Sequence, residues 1–128
     1  PSARNRQEIE VYVAKADGLY LYNARDHALE LVVAADIRAA TGTQDFVARA
    51  PVNLIYVADL TKTEKAGEKK EFYAADTGFI AQNVYLFCAS GHLATVVRGS
   101  FDQAGLARAM KLPPDRRIIL TQTVGFPK

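Results

Sequence analysis

The chain has 128 residues, 49% of them hydrophobic, and its 16 Lys and Arg against 14 Asp and Glu leave a net charge of +2. This length and balance predict one core and exclude collagen-like, coiled-coil and disordered classes. The basic residues are scattered, no apolar run reaches the ~20 residues of a membrane span, and Cys88 is the single cysteine. We therefore expect a cytoplasmic protein with no nucleic-acid partner, no membrane and no disulfide.

The first elements in chain order form a predicted β-meander. Ile9, Val11 and Val13 alternate with residues of the opposite face, which is the period of a half-buried strand. Asp17-Gly18 is a hairpin signal, and apolar runs follow at residues 19–22 and 28–33. Three consecutive antiparallel strands are expected.

The middle of the chain predicts a short helix and then a buried strand. Residues 35–40 have a helical pattern, with Asp36 placed as the N-cap and Gly42 placed to end it. A further helical turn is expected at residues 45–50. Residues 52–58 are β-rich and apolar on both faces, which is typical of a central strand covered on both sides.

The second half of the chain alternates helix and strand. Residues 68–90 predict a long helix with a broad apolar band, ended by Gly91. A strand at 93–97, a helix at 102–110 and a final strand at 118–124 follow. A meander followed by alternating elements indicates an α+β fold.

The sequence contains no complete set of catalytic side chains. His27 and His92 lie in turn or cap contexts, so we interpret both as surface or capping residues, and Cys88 as a buried structural thiol rather than a nucleophile. Metal-ligand spacing, a P-loop and a GxGxxG motif are all absent. Any redox or transfer chemistry would therefore need a cofactor.

Several short motifs occur, once each and in a fixed order, in the second half of the chain. They are Gly78, the pair Gln82-Asn83, Gly91 with Leu93, Leu112-Pro113, and Val124-Gly125-Phe126-Pro127. Together they resemble the C-terminal half of the nitroreductase family of flavin enzymes, most closely its SagB-type dehydrogenase branch. The resemblance implies a nitroreductase-like fold, a central mostly antiparallel sheet flanked by helices, with FMN as cofactor, NAD(P)H as co-substrate, and a homodimer with the flavin site at the interface.

The opening stretch belongs to the same resemblance. Residues 1–7, PSARNRQ, are similar to the family segment P-S-x-x-N-x-Q, which lines the FMN site and commonly reaches the partner's flavin. Ser2 and Asn5 match the motif, and the resemblance implies that both bind the cofactor. Arg4 adds a cation suited to a reduced flavin or a phosphate. The alternative is a solvated polar arm.

Two further stretches are implied as cofactor contacts. Residues 96–99 resemble the loop over the flavin ring, where Gly99 would let the backbone approach closely. Arg98 stands where many relatives carry an acidic residue. Lys128 follows the V-G-x-P end, and contact with the FMN phosphate and simple exposure are equally open. Gln82 and Asn83 are expected at a dimer seam or against the neighbouring strand.

One expected motif is missing. Nitroreductases usually begin with an Arg-Arg-Ser-x-Arg-like segment that grips FMN, and residues 1–128 contain none. We therefore expect one nitroreductase-like domain that is N-terminally incomplete. Two hypotheses follow: an FMN-dependent oxidoreductase that passes electrons from NAD(P)H through flavin N5 to a small or peptide-borne acceptor by a ping-pong mechanism, or a truncated, non-catalytic dimerisation or binding module.

Overall fold

The computed structural model describes residues 1–128 and contains one antiparallel sheet flanked by two α-helices. The strands are β1 Ile9–Lys15, β2 Gly18–Asn23, β3 Ala28–Val33, β4 Val52–Asp59, β5 Ala94–Arg98 and β6 Arg116–Gly125. The helices are α1 Lys70–Ser90 and α2 Gln103–Ala109, with short 3-10 helices at Ala3–Asn5, Arg38–Thr41 and Glu64–Ala66. The sheet order is β3-β2-β1-β4-β6-β5. The predicted α+β class and antiparallel sheet are confirmed.

The β1–β2 hairpin is tight because a glycine follows its turn. Lys15 pairs with Gly18 across a turn at residues 16–17. Gly18 has φ 157°, and a Cβ there would lie 2.9 Å from the Val33 carbonyl oxygen. Only glycine accommodates both the backbone angle and this close approach of β3.

The sheet is covered on both faces. On one face, α2 and the 3-10 helix Arg38–Thr41 enclose the main apolar core. Its fully buried members come from five strands and α2: Tyr12, Ala14, Leu19, Val33, Ile55, Val57, Leu106, Met110 and Ile118. On the other face α1 packs against β5, β6 and β1. The predicted central position of residues 52–58 is confirmed.

The alternating pattern of residues 9–14 predicted a half-buried strand, and β1 forms there. The Tyr12 and Ala14 side chains are buried, whereas Ile9, Val11 and Val13 are only half-buried. Because β1 is covered on both sides, the alternation does not separate a core face from a solvent face. The α2 side is the more tightly closed of the two.

The predicted short helix at residues 35–40 forms only as the 3-10 helix Arg38–Thr41. The N-cap of this 3-10 helix is Ile37, one residue after the predicted Asp36. The Asp36 carboxylate still accepts a hydrogen bond from the Arg38 backbone N–H at 3.1 Å and binds the Arg38 guanidinium, so it satisfies a donor of the first turn. At residues 45–50 the chain forms turns, with one helix-like hydrogen bond from the Ala50 N–H to the Phe46 carbonyl, and no regular helix.

Helix α1 begins two residues later than predicted and turns its largest apolar side chains away from the sheet. Its buried residues are Tyr73, Asp76, Thr77, Ala81 and Cys88. The exposed ones include Phe72, Phe79, Leu86 and Phe87, the last with 69% of its surface exposed. Gly91 is the C-cap, as predicted. No helix in the chain has the length and apolar character needed to cross a membrane.

Candidate functional site

The opening segment is a compact, internally braced loop. Arg4, Asn5 and Gln7 have φ angles of 54°, 52° and 50°, in the left-handed region that non-glycine residues rarely adopt. Ser2 Oγ accepts a hydrogen bond from the Gln7 backbone N–H at 2.9 Å, and Asn5 Oδ1 accepts one from Gln7 Nε2 at 3.1 Å. Strain of this kind is held where the surroundings fix it, often at functional sites.

Arg6 and Lys62 attach this loop to the segment before α1. Arg6 Nη1 donates to the Lys62 carbonyl at 2.8 Å, and the Arg6 guanidinium forms an ion pair with Glu68. Lys62 Nζ in turn donates to the Gln7 carbonyl at 3.5 Å. The predicted site segment is therefore an ordered part of the domain, which argues against a frayed arm.

A cavity of about 390 Å³ lies between this loop and α1. Its polar lining consists of Ser2, Asn5, Gln7, Glu8 and Asp76. Ile9 and Ile80 supply apolar wall, and Pro1 and Ala24 complete the rim. The volume is within the range of small-molecule sites in proteins.

Two carboxyl groups line this cavity, and neither was among the predicted site residues. Glu8 is 2% exposed and Asp76 is 7% exposed. Glu8 Oε2 is buried and receives no hydrogen bond from any donor of the chain. Burial raises the pKa of Glu8, and the neighbouring Asp76 carboxyl and the charge of Glu68 raise it further. One feature of the sequence could have indicated this pair: Asp76 is an acidic residue within the apolar pattern of α1.

The raised pKa of Glu8 predicts a pH-dependent effect of Glu8→Gln. A carboxyl whose pKa is higher in the folded chain stabilises the fold below its ordinary pKa of 4.5, and that contribution is lost as pH rises through the folded value. We expect Glu8→Gln to be more stable than wild type by about 1 kcal/mol near neutral pH, since a neutral amide replaces a carboxyl whose charged form is disfavoured by burial and by Asp76. The gain should vanish towards acid pH.

Urea unfolding at a neutral and an acidic pH measures this effect. Asp45→Asn, at an exposed position in the turn at residues 45–49, is the control and should be nearly neutral at both pH values. A Glu8→Gln variant that is less stable than wild type at neutral pH would contradict the assignment.

The Arg98 side chain points into the protein, whereas the resemblance implied that it contacts the cofactor. It is 5% exposed, and its Nη1 donates to the Thr41 carbonyl at 2.7 Å. Its Nε donates to Thr123 Oγ1 and its Nη2 to Asn53 Oδ1, each at 3.0 Å. Burial lowers the pKa of Arg98, whose hydrogen-bond partners are neutral oxygens. The side chain is thus a structural cross-link between β5, β4, β6 and the 3-10 helix Arg38–Thr41.

Gly99 and Lys128 lie apart from the opening loop. Gly99 is exposed and lines a different cavity, of about 480 Å³, with Phe101 and Gln103. A Cβ at Gly99 would approach nothing closer than Leu120 Cδ2 at 3.9 Å, so no contact within the chain demands glycine there. Lys128 is exposed at the last position. One copy of the chain does not bring Ser2 and Asn5 together with Gly99.

The largest cavity, about 620 Å³, is an open apolar groove at the other end of the sheet. Phe46, Pro51, Val96 and Phe126 supply its apolar walls, and Arg49 lies at its edge. None of the predicted cofactor residues lines it. The cavity of about 390 Å³ that Glu8 and Asp76 line is therefore the better candidate for a functional site.

The other polar residues considered as site candidates do not line the cavity beside the opening loop. His27 and His92 are exposed in a turn and a helix end, with positive φ, and His27 Nδ1 is hydrogen-bonded to the Tyr22 hydroxyl at 2.9 Å. Cys88 is buried, and burial raises the pKa of its thiol, which disfavours the thiolate. Gln82 and Asn83 are exposed on α1 and do not face the neighbouring strand. No three His, Cys, Asp or Glu side chains are placed to hold a metal ion.

Comparison with known proteins identifies the family. The model of the nitroreductase family matches residues 1–126. A protein of Methanocaldococcus jannaschii assigned as a nitroreductase is 31% identical over 124 residues, covering 88% of this chain and 63% of the relative. A crystal structure assigned as a nitroreductase, from Ralstonia eutropha JMP134, is 44% identical with a TM-score of 0.92, and the match covers 100% of this chain and 62% of that one.

Two more distant structures share the fold. One is a crystal structure from Desulfovibrio desulfuricans, described as a nitroreductase in complex with FMN. It is 24% identical with a TM-score of 0.73, and the match covers 99% of this chain and 66% of that chain. The Escherichia coli microcin synthetase McbBCD complex with truncated pro-MccB17 bound is 20% identical with a TM-score of 0.85, covering 100% and 55%. The chain thus spans less than two thirds of the Methanocaldococcus and Ralstonia proteins. With residues 1–126 matched, the chain belongs to the nitroreductase family.

Proposed function

We propose that this chain forms part of an FMN-dependent oxidoreductase that takes electrons from NAD(P)H and passes them to a small or peptide-borne acceptor by a ping-pong mechanism. The braced loop of residues 1–7 carries the proposal. Its left-handed backbone at Arg4, Asn5 and Gln7 holds a hydroxyl and an amide at the edge of a ligand-sized cavity. The FMN complex of the Desulfovibrio relative supports the choice of cofactor.

The residues present fit a flavin at two places. Ser2 and Asn5 offer short polar side chains that can hydrogen-bond the heteroatoms of a planar ring. Gly99 leaves open space where a side chain would fit without any clash, so a flat ligand can approach the backbone there. Arg4 and Lys128 are exposed cations suited to the phosphate. When bound, FMN supplies hydride transfer, and these side chains bind and orient it.

The separation of the two places supports a site built by two copies of the chain. Ser2 and Asn5 line one cavity and Gly99 another, which fits a loop that reaches the flavin of a partner. The outward Phe72, Phe79, Leu86 and Phe87 of α1 form an apolar strip, and a homodimer interface would cover it. We therefore propose a homodimer with the flavin at its interface.

Titration with FMN tests the proposed function. We expect the flavin fluorescence to be quenched on saturable binding, and Ser2→Ala and Asn5→Ala to weaken the affinity by about tenfold each through loss of a hydrogen bond. Gly99→Ala should weaken binding by obstructing the ring while leaving stability unchanged. Ser90→Ala, which removes an exposed hydroxyl at the end of α1, is the control.

A different result would favour the alternative function. Protein that stays colourless and gains no flavin absorbance with excess FMN would indicate a non-catalytic dimerisation or binding module. Flavin binding that is unaffected by Ser2→Ala, Asn5→Ala and Gly99→Ala would keep the cofactor but place it elsewhere.

A further inference from the structure

The opening loop is fixed partly by contacts outside itself. Arg4, Asn5 and Gln7 adopt the left-handed backbone region, and three such residues within four positions are unfavourable for a free segment of chain. The hydrogen bonds from Gln7 to Ser2 and Asn5 close the loop on itself. They do not determine where the loop lies on the domain. Contacts with the rest of the domain must therefore hold it in place.

Arg6 supplies two of these outside contacts through one guanidinium. Its Nη1 donates to the Lys62 carbonyl at 2.8 Å, and the guanidinium forms an ion pair with Glu68. The side chains of Arg6 and Glu68 have only 18% and 10% of their surface exposed. Water and salt screen such a pair less than a pair at the open surface. Because the guanidinium is planar, binding two acceptors fixes its direction as well as its position.

The acceptors of Arg6 belong to a segment that is itself well held. The Glu68 N–H donates to the Thr63 carbonyl at 2.8 Å, and Thr63 is fully buried. The Tyr73 hydroxyl of α1 donates to Glu64 of the same segment at 2.6 Å. Arg6 therefore joins the opening loop to a part of the chain that α1 holds in place.

We propose that Arg6 is a positioning residue, which holds the opening loop through Glu68 and the Lys62 carbonyl. Ser2 and Asn5 line the cavity beside the loop, whereas Arg6 does not. Arg6 also occupies a variable position of P-S-x-x-N-x-Q. It acts on a ligand through the path of the loop, and not by contact. That this ligand is FMN rests on the proposed function.

The effect of Glu68→Gln separates positioning from direct attraction. If Arg6 attracted the negatively charged phosphate of FMN as a free cation, removing its neighbouring anion would strengthen FMN binding. If Arg6 positions the loop, the same substitution releases it and weakens binding. We expect the Kd for FMN to rise by about threefold or more in Glu68→Gln and by about tenfold in Arg6→Ala.

Two further variants complete the FMN titration. Arg6→Lys keeps the charge but not the planar fork, so its Kd should lie between those of wild type and Arg6→Ala. Arg108→Ala removes an exposed arginine of α2 and should match wild type.

Amide hydrogen exchange in the absence of FMN tests the loop itself. The Asn5 and Gln7 N–H groups donate to the Ser2 carbonyl at 3.0 Å and to Ser2 Oγ at 2.9 Å. In Arg6→Ala both amides should exchange faster by about tenfold, because the loop opens more often. Ile55→Val, which removes a buried methyl group from the core on the α2 side, lowers the stability of the whole domain but should leave both rates unchanged.

Unchanged FMN affinity or unchanged exchange in Arg6→Ala would overturn the inference. So would tighter FMN binding by Glu68→Gln, or loop amides that respond equally to Ile55→Val and Arg6→Ala. Wild-type protein that binds no FMN would instead refute the proposed function. The exchange rates would then still decide whether Arg6 holds the loop.

Discussion

Arg98→Ala is expected to lower the free energy of unfolding by about 3 to 5 kcal/mol, the largest effect of any single substitution proposed for this chain. The guanidinium donates to the Thr41 carbonyl, Thr123 Oγ1 and Asn53 Oδ1, and all three partners are buried. Removing it leaves their oxygens without those donors inside the protein and opens a cavity between β4, β5 and β6. The midpoint of urea unfolding measures the loss.

Two variants separate the buried network from charge alone. Arg49→Ala removes an exposed arginine and should change stability by less than about 0.5 kcal/mol. Arg98→Lys keeps the charge but lacks the planar fork, so it should recover only part of the loss. An Arg98→Ala variant with the wild-type midpoint would show that the network contributes nothing.

Gly42 gives an independent check on the same network. A Cβ at Gly42 would lie 2.0 Å from Arg98 Nη1. Gly42→Ala must therefore displace the guanidinium from its partners in wild type, whereas in the Arg98→Ala background the remaining close atom is Gln44 Oε1, 2.9 Å away at the end of a flexible side chain. The two substitutions should be strongly non-additive in a double-mutant cycle.

Gln122→Leu is expected to destabilise the chain by about 2 to 4 kcal/mol. Gln122 is fully buried, accepts a hydrogen bond from the Tyr56 hydroxyl at 2.5 Å, and donates to the Ala81 carbonyl of α1 at 3.3 Å. Burial raises the pKa of Tyr56, so its hydroxyl stays protonated and needs an acceptor. Leucine supplies neither bond, and chemical unfolding followed by circular dichroism measures the cost.

The partner substitution makes this prediction specific. Tyr56→Phe in the Gln122→Leu background removes the stranded hydroxyl and should restore part of the stability. Gln82→Leu, on the exposed side of α1, is the matched control and should be nearly neutral. Equal losses in Gln82→Leu and Gln122→Leu would indicate that the hydrogen bonds to Tyr56 and Ala81 are unimportant.

The sequence predicted the elements that rest on local signals. Asp17-Gly18 located the first hairpin, and the length of the apolar pattern located α1 and β4. Periodicity did not reveal which side of α1 meets the sheet, because small and polar residues such as Thr77 and Ala81 pack there while Phe79 and Phe87 face outward.

The candidate site was only partly predictable, for a similar reason. Family motifs indicated Ser2 and Asn5, which do share one cavity. Glu8 and Asp76 are far apart in sequence, and their meeting depends on how α1 packs beside the start of β1. The inward direction of Arg98 likewise depends on Asn53 and Thr41, which only the folded sheet brings to it.

The left-handed residues of the opening loop change what its motif means. Asparagine tolerates this backbone region better than most residues, whereas β-branched residues at Asn5 or Gln7 would be strongly disfavoured. The motif P-S-x-x-N-x-Q therefore specifies a backbone conformation as well as a set of hydrogen-bonding groups. A substitution there can preserve every polar atom and still abolish the site by making its backbone shape inaccessible.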